Sequence, residues 1–329
     1  MRAIVYDQYG TFDVLGLKEI GRPVIKDTDS NKDKGDEVLV RVRAAGLHIG
    51  DCFGVHGAPV AVRFYTGLLR PAYGVPGYDV AGEVEAVGKN VRKFKPGDAV
   101  FGTGLGTCAE YTRARESTLA PKPSNLSFAE AAAIPTSAVA ALRALRDTGK
   151  LQRGQQVLIN GASGGVGTFA VQIAKSLGAE VTGVCSTKNL ELVRALGADQ
   201  VIDYTRQDFT EGSRRYDLIL DNIENRSLAD CRRALTPTGM LILNSGTGAE
   251  GVAMLVRLFA PILLSPFIRQ KLRRYVATPN HADLLALKQL AESGQLRPVI
   301  DKTYPLPETR AALEYIQSGH ARGKVVVTV

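Results

Sequence analysis

Residues 157–167 read VLINGASGGVG, and the chain continues as TFAVQIAKSLGA. A β-rich run, a glycine-dense turn and an apolar-periodic helix in immediate succession confine this region to one strand–turn–helix unit. With no Cβ at Gly164, backbone N–H groups can approach a pyrophosphate, and the following helix adds its partial positive charge at the same place. Gly167 lets helix and strand pack closely. Ser163, Gly164, Gly165, Val166 and Gly167 are therefore the candidate phosphate cradle. The pattern departs from G-x-G-x-x-G at Ala162, and a helix cap without ligand is the alternative; correct flanks on both sides favour the cradle.

Dinucleotide folds that select an unphosphorylated ribose carry an acidic residue about 20 residues further on. Here the second strand ends in Cys185, Ser186, Thr187, Lys188 and Asn189. No carboxylate stands there to repel a 2′-phosphate, two hydroxyls can donate to it, and Lys188 supplies a point charge. The expected cofactor is therefore NADP(H). The Ser–Thr pair also suits capping of a helix that starts near Leu190, and the two uses are compatible.

From about residue 127, helix and strand signals alternate, with strands expected at 156–160, 180–185, 200–204, 216–221 and 240–244. That is the rhythm of a parallel α/β sheet. Upstream, β-rich runs at 37–42, 80–87, 99–102 and 109–112 are separated by Gly and Pro turns, which reads as a mainly antiparallel β domain. After a helix near 281–293, the tail shows β-rich runs at 297–304 and 324–329 around a helix near 307–318. It is expected to rejoin the β domain. The resulting division is 1–126 with 295–329 against 127–294, and 329 residues is more than one core usually holds.

Composition narrows the function. Hydrophobic residues at 45% and charged residues at 22% suit a globular enzyme. The net charge is +8, but Lys and Arg are dispersed and no basic stripe with interleaved aromatics appears, so no nucleic-acid partner is expected. Cys52, Cys108, Cys185 and Cys231 stand far apart without a C-x-x-C pair, which supports neither a disulfide framework nor a cysteine zinc site. A reducing cytoplasm is the expected compartment. The opening MRAIVYDQYG lacks the apolar run of a signal peptide, and no uninterrupted apolar stretch reaches the roughly 20 residues that span a bilayer.

Further segments carry a family resemblance: AAGLHIGD (44–51), GYDVAGEVEAVG (77–88), KPGDAVFG (95–102), AEY (109–111), AAAIPTSAVAA, the GASGGVG turn, LGADQVIDY (196–204) and GHARGKVVV (319–327). Through nearly its whole length the chain resembles a medium-chain dehydrogenase/reductase of the quinone oxidoreductase branch. The resemblance implies a GroES-like, mainly β catalytic domain beside a Rossmann domain with a doubly wound parallel sheet. It also implies hydride transfer from NADPH to a quinone or an α,β-unsaturated carbonyl compound, and a homodimer joined through an edge strand near 240–244. In zinc-dependent relatives a cysteine stands where His48 is and a His–Glu pair where Tyr78 and Asp79 are; their cysteine-rich lobe is missing here. No bound metal is therefore expected. His48 and Asp51 supply two donors and no third, so they read as hydrogen-bonding groups, with metal coordination as the lesser alternative.

By the same resemblance His48, Phe53 and Thr136 line the nicotinamide end of the cleft. Phe53 replaces a tyrosine of some relatives, so His48 becomes the first candidate to hydrogen-bond the substrate oxygen, with Tyr65 and Tyr78 behind it. An ordinary half-buried role is the plain alternative for each tyrosine. Ser186, Lys188 and Tyr204 are expected around the adenosine, and Asn225, Ser245 and Gly246 in loops at the carboxyl edge of the sheet. Arg322 and Lys324 either reach the cofactor from the tail or are surface charges. Two other functions stay open: a zinc-free ketoreductase relying on His48 and Asp51, and an NADPH-binding protein without turnover.

Residues 254–268, MLVRLFAPILLSPFI, are nearly continuous apolar sequence followed by the basic run RQKLRRY. Pro261, Pro266 and Arg257 exclude a spanning helix. The segment reads as a hydrophobic wall for a bulky substrate; a subunit contact and weak peripheral membrane contact are the other readings.

Overall fold

Val38, Val40 and Val42 alternate with Leu39, Arg41 and Arg43, and in the computed structural model those valines are buried while both arginines are exposed. Period-two patterning of this kind puts one face of a strand into a core and leaves the other in water. Residues 1–25, 35–244 and 269–329 are described; the side chains of Ala61 and Tyr65 are not. The chain divides into two units, Met1–Val139 with Thr278–Val329, and Ala140–Ala277.

In the first unit β1 (Arg2–Val5) pairs antiparallel with β2 (Gly16–Glu19). The longer β3 (Glu37–Leu47), β4 (Asp79–Val87), β5 (Ala99–Leu105) and β6 (Tyr111–Pro121) pair antiparallel in sequence, and β6 returns to β3, which closes the four strands. Val38, Val40, Val80, Val84, Val100 and Phe94 fill that closed space. Each such side chain contributes about 1.5–3 kcal/mol on full burial.

The second unit is a six-stranded sheet, all parallel, built from β7 (Gln156–Asn160), β8 (Glu180–Cys185), β9 (Gln200–Asp203), β10 (Tyr216–Asp221), β11 (Leu235–Leu243) and β12 (Lys271–Arg274). Its order is β12-β11-β10-β7-β8-β9. The chain leaves β7 toward β8 and β9, then crosses back to β10 on the other side. Neighbouring β7 and β10 therefore send their following loops in opposite directions, which opens a crevice at their carboxyl ends. The tail adds β13 (Ile300–Pro305) and β14 (Lys324–Thr328) to the first unit, with β14 antiparallel to β3.

Most strand expectations match the observed elements within a few residues, but β3 runs on to Leu47, β6 runs on to Pro121, β11 starts at Leu235, and β1, β2 and β12 fall where the sequence reading places no strand. The basic run after residue 268 contains the edge strand β12, whose Leu272 is buried between exposed Lys271 and Arg273. Strand 240–244, expected at an edge, is therefore covered on that side, and β12 holds the edge instead. The unit boundary also falls after Val139 and before Thr278. Helix Phe128–Ala132 lies against the β-domain, so close to β3 that the Ala132 carbonyl occupies the space a side chain at Gly46 would need. Helical periodicity marks a helix without saying which sheet it packs on.

Candidate functional site

The cradle sits where β7 meets helix Gly165–Ser176. Gly161 has φ +77°, which suits glycine, and Gly164 caps the helix in extended conformation without any side-chain hydrogen bond. The first-turn N–H groups of a helix have no acceptor within it and face outward from its start. The two key glycines differ. A Cβ on Gly167 would lie 2.8 Å from Ala162 Cα, whereas a Cβ on Gly164 would meet only Gly161 O at 3.4 Å. Gly167 is thus required by the protein's own packing, while the space beside Gly164 is open to something else.

Asn189 ties this turn to the end of β8, donating from Nδ2 to Ser163 Oγ at 3.0 Å and to Ser186 Oγ at 3.2 Å. Both serine oxygens act as acceptors there, so both hydroxyl protons remain to be donated to a ligand. Lys188 is exposed and has no ion-pair partner among the described residues, and Tyr204, half exposed, donates its N–H to the Cys185 carbonyl at the end of β8 at 3.1 Å. Thr187 departs from its expected role. Its hydroxyl donates to Asp203 Oδ2 at 2.5 Å, so its proton is committed within the protein. Asp203 ends β9 opposite Cys185; hydrogen bonds from the Thr187 and Thr205 hydroxyls and the Thr205 N–H, with Arg206 near, hold its carboxyl below the usual range.

The crevice rim between β7 and β10 is a polar knot. Asn160 Nδ2 donates to Asp221 Oδ1 at 2.8 Å and to Asn225 Oδ1 at 3.2 Å. Asp221 Oδ1 also accepts the N–H groups of Ile223 and Glu224, which holds Glu224 at φ +57°. Arg274 of β12 pairs with Glu224 at 2.7 Å. Asn225 is therefore fixed by the sheet, in keeping with a rim residue. Ser245, Gly246 and residues 254–268 lie outside the described residues.

The first unit holds a buried ionic cluster. His48 caps helix Ile49–His56: its backbone N–H donates to Asp51 Oδ2 at 2.8 Å, and its Nδ1 accepts from Gly50 N at 3.0 Å. With Nδ1 an acceptor, the neutral ring carries its proton on Nε2. That Nε2 has no hydrogen-bond partner among the described residues. The Tyr78 ring stacks on the imidazole, with centroids 6.2 Å apart and planes at 15°. Desolvation outweighs the Asp79 charge and, with Lys324, pushes His48 down to about 4. The ring keeps 19% of its surface. Burial also pushes Asp51 up to about 7, against the His48 N–H and Lys324.

Asp79 is fully buried. Its Oδ1 accepts from Thr136 N at 3.0 Å and from the Thr136 hydroxyl, and its Oδ2 lies 3.5 Å from Lys324 Nζ. Lys324 is 2% exposed and donates to Ser137 Oγ at 3.1 Å. Its expected places, at the cofactor or on the surface, give way to this ion pair, since a lysine on the inward face of β14 must meet a buried acceptor. Arg322 is half exposed and pairs with Asp301 within the first unit. Phe53 lies in the same helix as Asp51, and Tyr65 in helix Arg63–Thr66. Near Tyr65, Phe64, Leu68 and Leu69 are 75%, 64% and 87% exposed.

The sequence reading missed Asn189, Asp203, the Asn160–Asp221 knot and the Asp79–Lys324 pair. A usable signal existed for the last alone: one charge each inside the apolar strand runs GYDVAG and GKVVV. All four cysteines are buried, and burial raises the thiols of Cys52, Cys108 and Cys185, which removes them as nucleophiles. Among the described residues no group of three or more His, Cys, Asp or Glu side chains is placed to hold a metal ion.

Comparison with known proteins agrees with this architecture. The family described as alcohol dehydrogenase GroES-like domain matches residues 34–144, and that described as zinc-binding dehydrogenase matches residues 196–327. A 2-methylene-furan-3-one reductase of Solanum lycopersicum is 33% identical over 99% of this chain and 79% of its own. An NADPH-dependent alkenal/one oxidoreductase, chloroplastic, of Arabidopsis thaliana is 34% identical over the same shares. The solved quinone oxidoreductase of Coxiella burnetii superposes with TM-score 0.84 at 30% identity, over 100% of this chain and 99% of that one. The chain belongs to the medium-chain dehydrogenase/reductase superfamily, in its quinone oxidoreductase-like branch, and is an oxidoreductase.

Proposed function

We propose that this chain binds NADP(H) and reduces a quinone or an α,β-unsaturated carbonyl compound without zinc. The observation that carries the proposal is the open space at Gly164 combined with two serine hydroxyls left to donate and, at the end of β8, an exposed Lys188 without an ion-pair partner among the described residues. Those residues fit a pyrophosphate and a 2′-phosphate, and the ionised Asp203 has its oxygens occupied by the Thr187 and Thr205 donors and pairs with Arg206. The names of the relatives support the acceptor class. When bound, the nicotinamide supplies hydride. The protein's part is to hold the acceptor oxygen, and His48 Nε2–H is the group free to do so; Tyr65 and Tyr78 stand second. Exposed Phe64, Leu68 and Leu69 suit a bulky apolar acceptor.

Zinc does not fit this cluster. Asp79 already faces a buried ammonium and two Thr136 donors, and Tyr78 offers a neutral phenol, so no step runs through a metal. The proposal extends to a homodimer paired along β12 and to a reducing, cytoplasmic setting that suits four free thiols. Fluorescence titration with NADPH and NADH, repeated on Lys188→Ala, tests the cofactor claim. NADPH should bind at least tenfold tighter, and the variant should lose that preference while NADH affinity holds. Equal affinity for both nucleotides in the unmodified protein would reject it.

A further inference from the structure

Asp51 presents an unexplained atom. Its Oδ2 receives the His48 N–H, but its Oδ1 is buried and has no hydrogen-bond partner among the described residues. A carboxylate left in that state is costly, and the cost falls if the group carries a proton or meets a water. Room for one exists. Asp51 lines a cavity of about 10 Å³ together with Tyr6, Thr66, Tyr73 and Tyr78, the size of a single water site with polar neighbours. On the other side of Asp51, His48 Nδ1 lies 3.7 Å from Oδ2.

We propose that Asp51 and His48 form a proton relay that delivers a proton to the substrate oxygen, with Asp51 as the store and His48 Nε2 as the outlet. This rests on the reading that the chain reduces a quinone or enone. Once hydride has reached the substrate, the displaced electron pair sits on its oxygen and needs a proton. The His48 Nε2–H bond breaks as the substrate O–H bond forms; the Asp51 O–H bond breaks as an Nδ1–H bond forms, with the Gly50 N–H giving up the Nδ1 lone pair it holds at rest. His48 stays neutral throughout and ends as the other tautomer, while Asp51 ends as a carboxylate; once product leaves, Nε2 takes a proton from solvent as the Nδ1 proton returns to Asp51, which restores both groups. No imidazolate or imidazolium is needed, which suits a ring whose desolvation disfavours charge. The 3.7 Å separation is a resting geometry, and such contacts tighten when substrate is bound.

The ionisable groups around Asp51 set when the store is full. Tyr6 follows β1, Cys52 shares its helix, Tyr78 and Asp79 lie at the start of β4, Cys108 follows β5 and Lys324 opens β14. Lys324 is the cation of this set and pulls Asp51 downward; burial outweighs it and leaves the carboxyl near 7. The store is then full below about 7 and empties above it.

Asp51→Asn is the probe, because the amide oxygen can still accept the His48 N–H while the titration disappears. With saturating NADPH and acceptor, kcat should fall by on the order of 100-fold and the decline of kcat above pH about 7 should vanish, with the KM for NADPH unchanged. Independently of turnover, infrared or NMR titration of aspartate-labelled, cofactor-free protein should show a buried carboxyl protonated below about pH 7, absent from the variant. An unmodified enzyme that turns over while Asp51→Asn keeps the same pH limb overturns the relay alone, as does a labelled Asp51 already ionised at pH 5. Absence of turnover in the unmodified enzyme overturns the functional reading and the relay with it.

Discussion

Replacing Gly164 and Gly167 separately by alanine should separate ligand contact from folding. At Gly167 the new Cβ would lie 2.8 Å from Ala162 Cα and closer still to the Gly161 carbonyl, well inside the roughly 3.5–4.0 Å at which carbon atoms rest. Backbone cannot yield as a side chain does, so helix Gly165–Ser176 must shift off β7 by about an ångström, at a cost of about 1–3 kcal/mol. At Gly164 the nearest protein atom would be 3.4 Å away and φ is −83°, so alanine costs the fold little. If a pyrophosphate uses that space, the added methyl denies it close approach to the helix N-terminus. Losing one or two charge-assisted N–H bonds at about 1.5–3 kcal/mol each weakens binding roughly ten- to several-hundredfold or more. NADPH titration and urea denaturation should be run on both variants. Gly164→Ala should melt like the parent and bind weakly; Gly167→Ala should lose stability and affinity together. A stable Gly164→Ala protein with parental NADPH affinity would refute the assignment of the cradle.

Three more outcomes follow from the buried polar groups. Lys324→Met leaves the fully buried Asp79 without its cation and should cost about 3–5 kcal/mol in urea denaturation; a loss below 1 kcal/mol would mean Asp79 is already protonated. Asn189→Ala releases Ser163 and Ser186 from their common donor and should weaken NADPH binding about tenfold by titration, with little change in melting. Stability should also depend on pH in two opposing ways. Asp51, raised from 3.8 to about 7, contributes stability that is full below 3.8 and lost as pH rises through 7, at most on the order of 4 kcal/mol. His48, lowered from 6.5 to about 4, contributes stability present above 6.5 and lost as pH falls through 4. Denaturation of Asp51→Asn from pH 5 to 8 should therefore lack the decline of the parent; parallel curves would contradict it.

Much of this was legible beforehand because it is local. The turn at 161–167 declares strand, helix and ligand at once, since glycine geometry and helix polarity act within a dozen residues. The β-domain strands announce themselves where Val alternates with Arg, as in β3. What escaped is non-local. Lys324 reads as a surface cation until β14 is paired with β3 and its inward face becomes known. Thr187 reads as a phosphate donor until β9 brings Asp203 beside it. The basic run after residue 268 hides β12, because an edge strand needs only one buried side chain, Leu272, to be held. Asp51 is visible as a hydrogen-bonding group beside His48, but its orphaned Oδ1 and the cavity it lines depend on residues 6, 66, 73 and 78.

The central claim is a reductase that draws hydride from NADPH for a conjugated acceptor. It is tested most directly by following NADPH oxidation at saturating cofactor across a panel of quinones and α,β-unsaturated ketones, with EDTA present and products identified by mass spectrometry. The account predicts turnover that EDTA leaves unchanged, NADH as the poorer donor, and a hydroquinone or a saturated ketone as product. No oxidation with any acceptor, or reduction of the carbonyl with the C=C bond intact, would contradict it.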